Sequence, residues 1–293
     1  MNASPDIWRH TVFGLLSPDT MRRHLTTAVL DYLRKAGLEP SGWQVVRVTS
    51  RQIDEVAKSQ RAGAGQTFRY RALDALFALG PSILLRLSDQ LDRPPEQLYA
   101  AAKEIKGAFP QTSPVGTIRR DLGSINLIMS LVHLSDRPEN SARECLVIAG
   151  PDAQDPTRWL PGEGLAAYLT ALETTQPKEC RGFTEVLTAL RGRIVSVLWA
   201  DISPPGRALA ADLARQGKLA EPKAGMQIAA ELTGAGTAHP LSDVLGFTFD
   251  PSMPPVDMMD LQHILRLHKC ELDPWEYAVL GTSTYFEPIR DSS

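Results

Sequence analysis

The chain has 293 residues, 43% of them hydrophobic and 22% charged, with a net charge of −3. That length suits two domains of moderate size, and the lack of a basic excess argues against a nucleic-acid partner while leaving local basic clusters able to hold small anions. Cys145, Cys180 and Cys270 are odd in number and lack ligand-type spacing, and neither a basic-then-apolar leader nor a membrane-length apolar run is present; a cytoplasmic protein without disulfide scaffold, zinc site or membrane contact is expected.

Thr11–Leu16 (TVFGLL) is a short apolar run closed by Ser-Pro-Asp and reads as a buried strand. Residues 20–36 carry apolar side chains at helical spacing, and Gly37 marks the stop. Residues 43–48 read as a second strand, and 51–60 and 70–79 as helices around an Ala-Gly loop. Gly80-Pro81 breaks the chain before a third strand at 82–87 and an Ala-rich helix at 95–107. A long loop at 109–120 leads to a fourth strand at 125–132, and Pro138–Ala149 reads as a helix with proline in its first turn. This order predicts an α+β domain over residues 1–150, a small sheet covered by helices.

Residues 150–161 (GPDAQDPTRWLP) read as a linker. Beyond it the sequence predicts a C-terminal α/β domain over 160–293, with helices at 164–173, 182–191, 207–216 and 256–269 and a strand at 194–200. Residues 83–102 are echoed at 194–212, each with an Asp, a Pro-Pro and an Ala-rich stretch, and HLSD at 133–136 is echoed by HPLSD at 239–243. The second half is either a degenerate second copy of the first domain or an appended oligomerisation or substrate domain. His263 and His268 miss the i, i+4 spacing of paired metal ligands, so no metal site is expected.

The densest chemistry lies between residues 114 and 144. An apolar run ends in His133, with Thr117, Arg119 and Asp121 before it and Ser135, Asp136 and Glu144 after it. A histidine closing a strand is, by itself, more often a satisfied polar group than a reactive one. Several such residues together are another matter. Pro114-Val115-Gly116-Thr117-Ile118-Arg119-Arg120-Asp121, His133-Leu134-Ser135-Asp136 and Ser141-Ala142-Arg143-Glu144 resemble the nucleoside diphosphate kinase family. Its hallmarks are a Pro-Gly-Thr-Ile-Arg-Gly-Asp loop, a strand ending in His-Gly-Ser-Asp, and a Ser-Ala-x-x-Glu helix. Gly80-Pro81 and Ser17-Pro18-Asp19 fall where the family has Gly-Pro and Lys-Pro-Asp. The resemblance covers about half of the chain.

The resemblance implies a ferredoxin-like α/β sandwich. It implies transfer of a γ-phosphoryl group from a nucleoside triphosphate, through phosphohistidine on His133, to a nucleoside diphosphate or related phosphorylated metabolite. Glu144 would orient the imidazole, Ser135 would sit beside the phosphoryl group, and Arg119 and Thr117 would hold phosphate oxygens. Such transfer depends mainly on positioning and charge stabilisation. Asp121 and Asp136 would be structural, Mg2+ would arrive with the nucleotide, and a homo-oligomer is expected.

The departures concern the phosphate and base contacts. The family's Lys before Pro-Asp is Ser17, its Asn three residues before the histidine is Ser130, and its Gly after the histidine is Leu134. A phosphate-binding Thr and Arg align with Ala108 and Ala102; Lys103 and Lys106 are the nearby substitutes, and Phe68 and Tyr70 the candidates for gripping a base. A nucleotide-binding protein that no longer turns over, an enzyme for an unusual phosphorylated metabolite and a pure scaffold therefore stand as alternatives.

Overall fold

The computed structural model describes residues 7–57 and 71–290. Two compact units divide between Cys180 and Arg181.

The first unit contains α1 (Ile7–His10), β1 (Thr11–Leu16), α2 (Pro18–Arg22), α3 (Thr26–Lys35), β2 (Leu38–Val46), α4 (Ser50–Ala57) and α5 (Ala72–Ala78). It continues with β3 (Ser82–Asp89), α6 (Pro95–Lys106), α7 (Ile118–Asp121), β4 (Val132–Leu134), α8 (Pro138–Ala149), β5 (Leu160–Pro161) and α9 (Leu165–Thr174). The strands lie in the order β4-β1-β3-β2-β5, every neighbouring pair antiparallel. Strand order 4-1-3-2, with helices carrying the chain from β1 to β2 and from β3 to β4, is the ferredoxin-like α+β sandwich.

The alternation of side chains along β1 creates two cores. Val12 and Leu16 point to one, where they meet Leu30 and Leu33 of α3 and Leu98 and Ala102 of α6. Phe13 and Leu15 point to the other, with Ile53 of α4 and Cys145 and Ile148 of α8. Each such fully buried Leu or Phe contributes about 2 kcal/mol. Both faces of β1 are covered, which is why TVFGLL is apolar at every position but Thr11 instead of alternating.

Three expectations are corrected here. The helix expected at 20–36 is two helices: His24 takes φ +54° between α2 and α3, and Glu173 Oε1 accepts both the Thr26 N–H (3.1 Å) and the Thr26 hydroxyl (2.7 Å) at the new start. The strand expected at 125–132 is found instead at Val132–Leu134, sharing only Val132 with the expectation. Buried Asn126 accepts the N–H groups of Ile128 and Met129, each at 2.9 Å, and folds the apolar run back on itself. The stretch at 150–161 is not a linker: Trp159 is buried in the second core, and β5 pairs with the outer edge of β2. Gly162 lies so close to that strand that a Cβ would stand 1.8 Å from the Pro40 carbonyl oxygen. Trp43 donates to the Pro161 carbonyl at 2.9 Å and stacks on Tyr168 of α9 with ring centroids 4.7 Å apart.

The second unit contains α10 (Phe183–Leu198), α11 (Pro204–Arg215), α12 (Ala224–Ala229), α13 (Pro240–Gly246), α14 (Met258–Leu267) and α15 (Pro274–Ser283). Its described residues hold one isolated β-bridge, Ile202 to Leu232, in place of the sheet expected of an α/β domain. The strand expected at 194–200 is the end of α10 and the start of the 3-10 turn Trp199–Asp201. Phe183, Val186, Leu187, Leu190, Ile194 and Leu198 are buried at helical spacing, which overrides the β-propensity of Ile-Val-Ser-Val. The echo between 83–102 and 194–212 therefore joins a strand-helix pair to a helix-helix pair, and HPLSD forms the N-terminus of a helix where HLSD ends a strand. Wholly buried Arg191 pins the unit by donating to the carbonyls of Leu219 (2.6 Å), Glu221 (2.8 Å) and Phe247 (3.0 Å).

Candidate active site

β4 is only three residues long, and its middle residue, His133, stands in register with Leu15 of β1. The same alternation that puts Val132 and Leu134 in the first core turns His133 to the opposite face, 6.5 Å from the Phe13 ring. On that face lies α8, begun by Pro138 at its first turn and buried along Ser141, Glu144, Cys145 and Ile148. Ser141 ties the helix to β1: its hydroxyl oxygen accepts the Phe13 N–H at 3.1 Å and the Tyr99 hydroxyl at 2.7 Å. Sequence reasoning placed Ser141 only within a motif; its partner Tyr99, on α6, carries no sequence signal of this role.

Glu144 reaches back from α8. Its Oε2 lies 2.8 Å from His133 Nε2 and accepts the Ser135 hydroxyl at 2.5 Å. Burial alone would raise the Glu144 pKa, but the His133 hydrogen bond and charge, the Ser135 hydroxyl and the Arg143 charge together hold it below the ordinary value. An ionised carboxylate can only accept, so Nε2 carries the hydrogen and Nδ1 keeps its lone pair. The Glu144 side chain is 3% exposed and that of His133 38%. The pair thus has a sealed side at Glu144 and an open side at the His133 ring.

The cations stand nearby. Lys106, near the end of α6, donates from Nζ to the carbonyl of Leu134, the residue after His133, at 2.8 Å. Burial first, and then the neighbouring Arg119 charge, push its pKa down to about 8 against the pull of Asp136 and Glu144. Arg119, on α7, is buried and donates to the Ala108 carbonyl; its Nε has no hydrogen-bond partner, and burial lowers its pKa to about 10. Thr117 is buried and its hydroxyl is spent on the Pro114 carbonyl at 2.9 Å. Asp121 accepts the Tyr32 hydroxyl (2.6 Å) and the Gly116 N–H (2.9 Å), and Asp136 accepts Asn140 Nδ2 at 2.5 Å.

Lys103 goes elsewhere. It is exposed and lines a cavity of about 660 Å³ with Arg9, Glu96, Tyr99, Asp136 and Arg137, and His133 is not in its walls. Of the altered positions, Ala102 is fully buried in the first core and Ser17 and Ser130 are buried, whereas Ala108 is exposed. Phe68 and Tyr70 lie outside the described residues. Arg143 is a participant that sequence reasoning took only as part of a motif: its Nη1 donates to the Val56 carbonyl at 3.2 Å and its Nη2 lies 3.5 Å from Glu144 Oε1. Among the described residues no three His, Cys, Asp or Glu side chains converge as metal ligands, and no helix is long and apolar enough to cross a membrane.

Residues 10–152 match the family model for nucleoside diphosphate kinase. The chain is similar to the nucleoside diphosphate kinase of Geotalea uraniireducens (strain Rf4), 29% identical over 133 residues that cover 45% of this chain and 89% of that one. It is 28% identical to the nucleoside diphosphate kinase of Staphylothermus marinus over 138 residues, 47% of this chain and 91% of that one. A crystal structure of nucleoside diphosphate kinase from Encephalitozoon cuniculi aligns over 49% of this chain and 91% of that one, at 21% identity and a TM-score of 0.41. The N-terminal half of the chain is a domain of the nucleoside diphosphate kinase family, followed here by a separate unit of helices.

Proposed function

We propose that the first unit is a nucleotide-dependent phosphotransferase that works through a phosphohistidine at His133. The observation that carries this is the His133 Nε2–Glu144 Oε2 contact of 2.8 Å with Nδ1 left open. Nδ1 would attack the γ-phosphorus of a nucleoside triphosphate. The bond from that phosphorus to the bridging oxygen breaks, and the nucleoside diphosphate leaves with the electron pair. The phosphorylated ring keeps its hydrogen on Nε2, and the Glu144 carboxylate balances the ring's positive charge. A terminal phosphate oxygen of the acceptor, a nucleoside diphosphate or a related phosphorylated metabolite, then takes the group off. Magnesium enters as part of the nucleotide substrate. Lys106 and Arg119 supply positive charge beside the histidine, as expected for a reaction governed by positioning and electrostatics.

A second reading has its own support. Arg119 already satisfies a backbone carbonyl, Thr117 another, and Ala102, which by spacing falls where the family resemblance implies a phosphate-binding arginine, sits in the core. A cradle so altered fits nucleotide binding without turnover, or an uncommon acceptor. Incubation with γ-labelled ATP or GTP and magnesium, followed by a chase with a panel of diphosphates, separates the three. Acid-labile label on the wild type and none on His133→Ala, removed by a common diphosphate, is the expected result. Label that no common diphosphate removes identifies an unusual acceptor. Bound nucleotide without label overturns the phosphotransfer reading.

A further inference from the structure

Leu131, two residues before His133, holds φ +70°, a left-handed conformation that residues other than glycine rarely adopt. Its peptide groups are gripped from one place. The Leu131 carbonyl accepts the Ser17 N–H at 3.1 Å, the Ser17 hydroxyl at 3.2 Å and the Thr20 hydroxyl. The Leu131 N–H donates to Asp19 Oδ2 at 3.1 Å. Ser17, Asp19 and Thr20 form the start of α2, and all three are buried.

Asp19 is an expensive way to hold one N–H. It is completely buried, its Oδ1 has no hydrogen-bond partner, and burial pushes its pKa up to about 6 despite the Leu131 N–H, the Arg23 charge and the Ser17 hydroxyl. A buried carboxyl and a left-handed leucine are each unfavourable alone. They meet at one residue, and that residue opens the turn into β4: Val132 N–H donates to the Ser130 carbonyl at 2.8 Å, and His133 follows in register with Leu15.

We propose that Asp19 is a positioning residue for His133: by holding the Leu131 N–H it keeps Leu131 left-handed, and that turn sets the direction in which β4 delivers the imidazole to Glu144. Ser17 and Thr20 anchor the carbonyl of Leu131, while Asp19 holds its N–H. With the carboxylate gone, Leu131 relaxes toward negative φ and β4 shifts. Glycine adopts φ +70° without strain, so Leu131→Gly makes the Asp19 contact dispensable. The kinetic side of this rests on the phosphotransfer proposed above; the geometry of the ring does not.

The test uses the full chain with 15N-labelled histidine and reads two things, the long-range 1H–15N pattern of the His133 ring and the rate of labelling by γ-labelled ATP. The wild type shows Nε2 protonated. Asp19→Ala loses that single pattern and labels at least about tenfold more slowly, in line with the cost of a small misplacement of a reacting group. Adding Leu131→Gly restores the pattern and brings the rate back to within about threefold, and Asp19→Asn, which keeps an acceptor oxygen, does likewise. If circular dichroism shows Asp19→Ala unfolded, Asp19→Leu, which fills the space but offers no acceptor, takes its place, with the same rescue by Leu131→Gly. A folded Asp19→Ala or Asp19→Leu with wild-type ring pattern and rate overturns the proposal, as does a loss that Leu131→Gly leaves unrestored. A wild type that takes no label overturns the phosphotransfer reading alone, and the ring pattern then decides this one.

Discussion

Glu144 Oε2 receives two donors, His133 Nε2 at 2.8 Å and the Ser135 hydroxyl at 2.5 Å. One buried oxygen therefore fixes the tautomer of the histidine and ties the strand end to α8. The ring's other nitrogen is left for the proposed attack on phosphorus. Everything proposed for the first unit depends on this sharing.

Glu144→Gln keeps the shape and removes the charge that would balance the proposed phosphorylated ring. Phosphoryl labelling is expected to slow by about 10²-fold. Stability carries a second signature. The folded-state pKa of Glu144 lies below its ordinary value of 4.5, so its contribution is present at neutral pH and is lost as acidification carries the carboxylate through its folded pKa. Urea unfolding should show the wild type losing its advantage over Glu144→Gln as pH falls below 4.5.

Asp19 has the opposite sign. Its pKa rises from 3.8 to about 6 on folding, so its protonated form stabilises the fold below pH 3.8 and that stabilisation is lost as pH rises through 6. At 1.36 kcal/mol per unit the effect is about 3 kcal/mol. Urea midpoints of wild type and Asp19→Asn between pH 4 and 7.5 measure it: the wild type should lose stability relative to the variant as pH rises, and parallel curves would contradict the burial of an ionisable group there.

Lys106 is expected to serve binding more than chemistry. Lys106→Met should raise the KM for nucleotide at pH 7 by about tenfold or more, the loss of a charge-assisted contact. Because the Lys106 pKa lies at about 8, the wild-type kcat/KM should fall through that pH and the variant's should not. Steady-state kinetics from pH 6.5 to 9.5 makes the comparison.

The residues of the candidate site were easier to read in the sequence than their surroundings. His133, Ser135 and Glu144 lie within twelve residues of chain, and a strand followed by a helix brings such neighbours together with little help from the rest of the fold. Thr11–Leu16 and Pro138–Ala149 were readable because one is a fully buried central strand and the other begins at a proline. Asn126 was not readable as the breaker of an apolar run, because its effect depends on a side chain that bonds its own backbone. The second unit was misread where burial on a helix outweighed β-branched composition, as at Ile194 and Val195. Lys103 and Lys106 are three residues apart on one helix, yet they face different surroundings, which spacing alone did not separate.

The segment at 150–161 tests that lesson directly. Read as a linker it should tolerate change, but β5 closes the sheet beside β2. Gly162→Val would drive a side chain into the Pro40 carbonyl. A loss of about 1–3 kcal/mol in thermal or urea unfolding is expected, as for overpacking. An unchanged midpoint would mean that the chain directly after β5 does not pack on β2.

The most direct test of the central claim is which ring nitrogen carries the phosphoryl group. Labelled protein can be digested under alkaline conditions and the phosphohistidine isomer assigned by 31P NMR and mass spectrometry. With Glu144 holding Nε2, the label should be on His133 at Nδ1, in the wild type and not in His133→Ala. Label at Nε2, or on any other residue, would contradict the account.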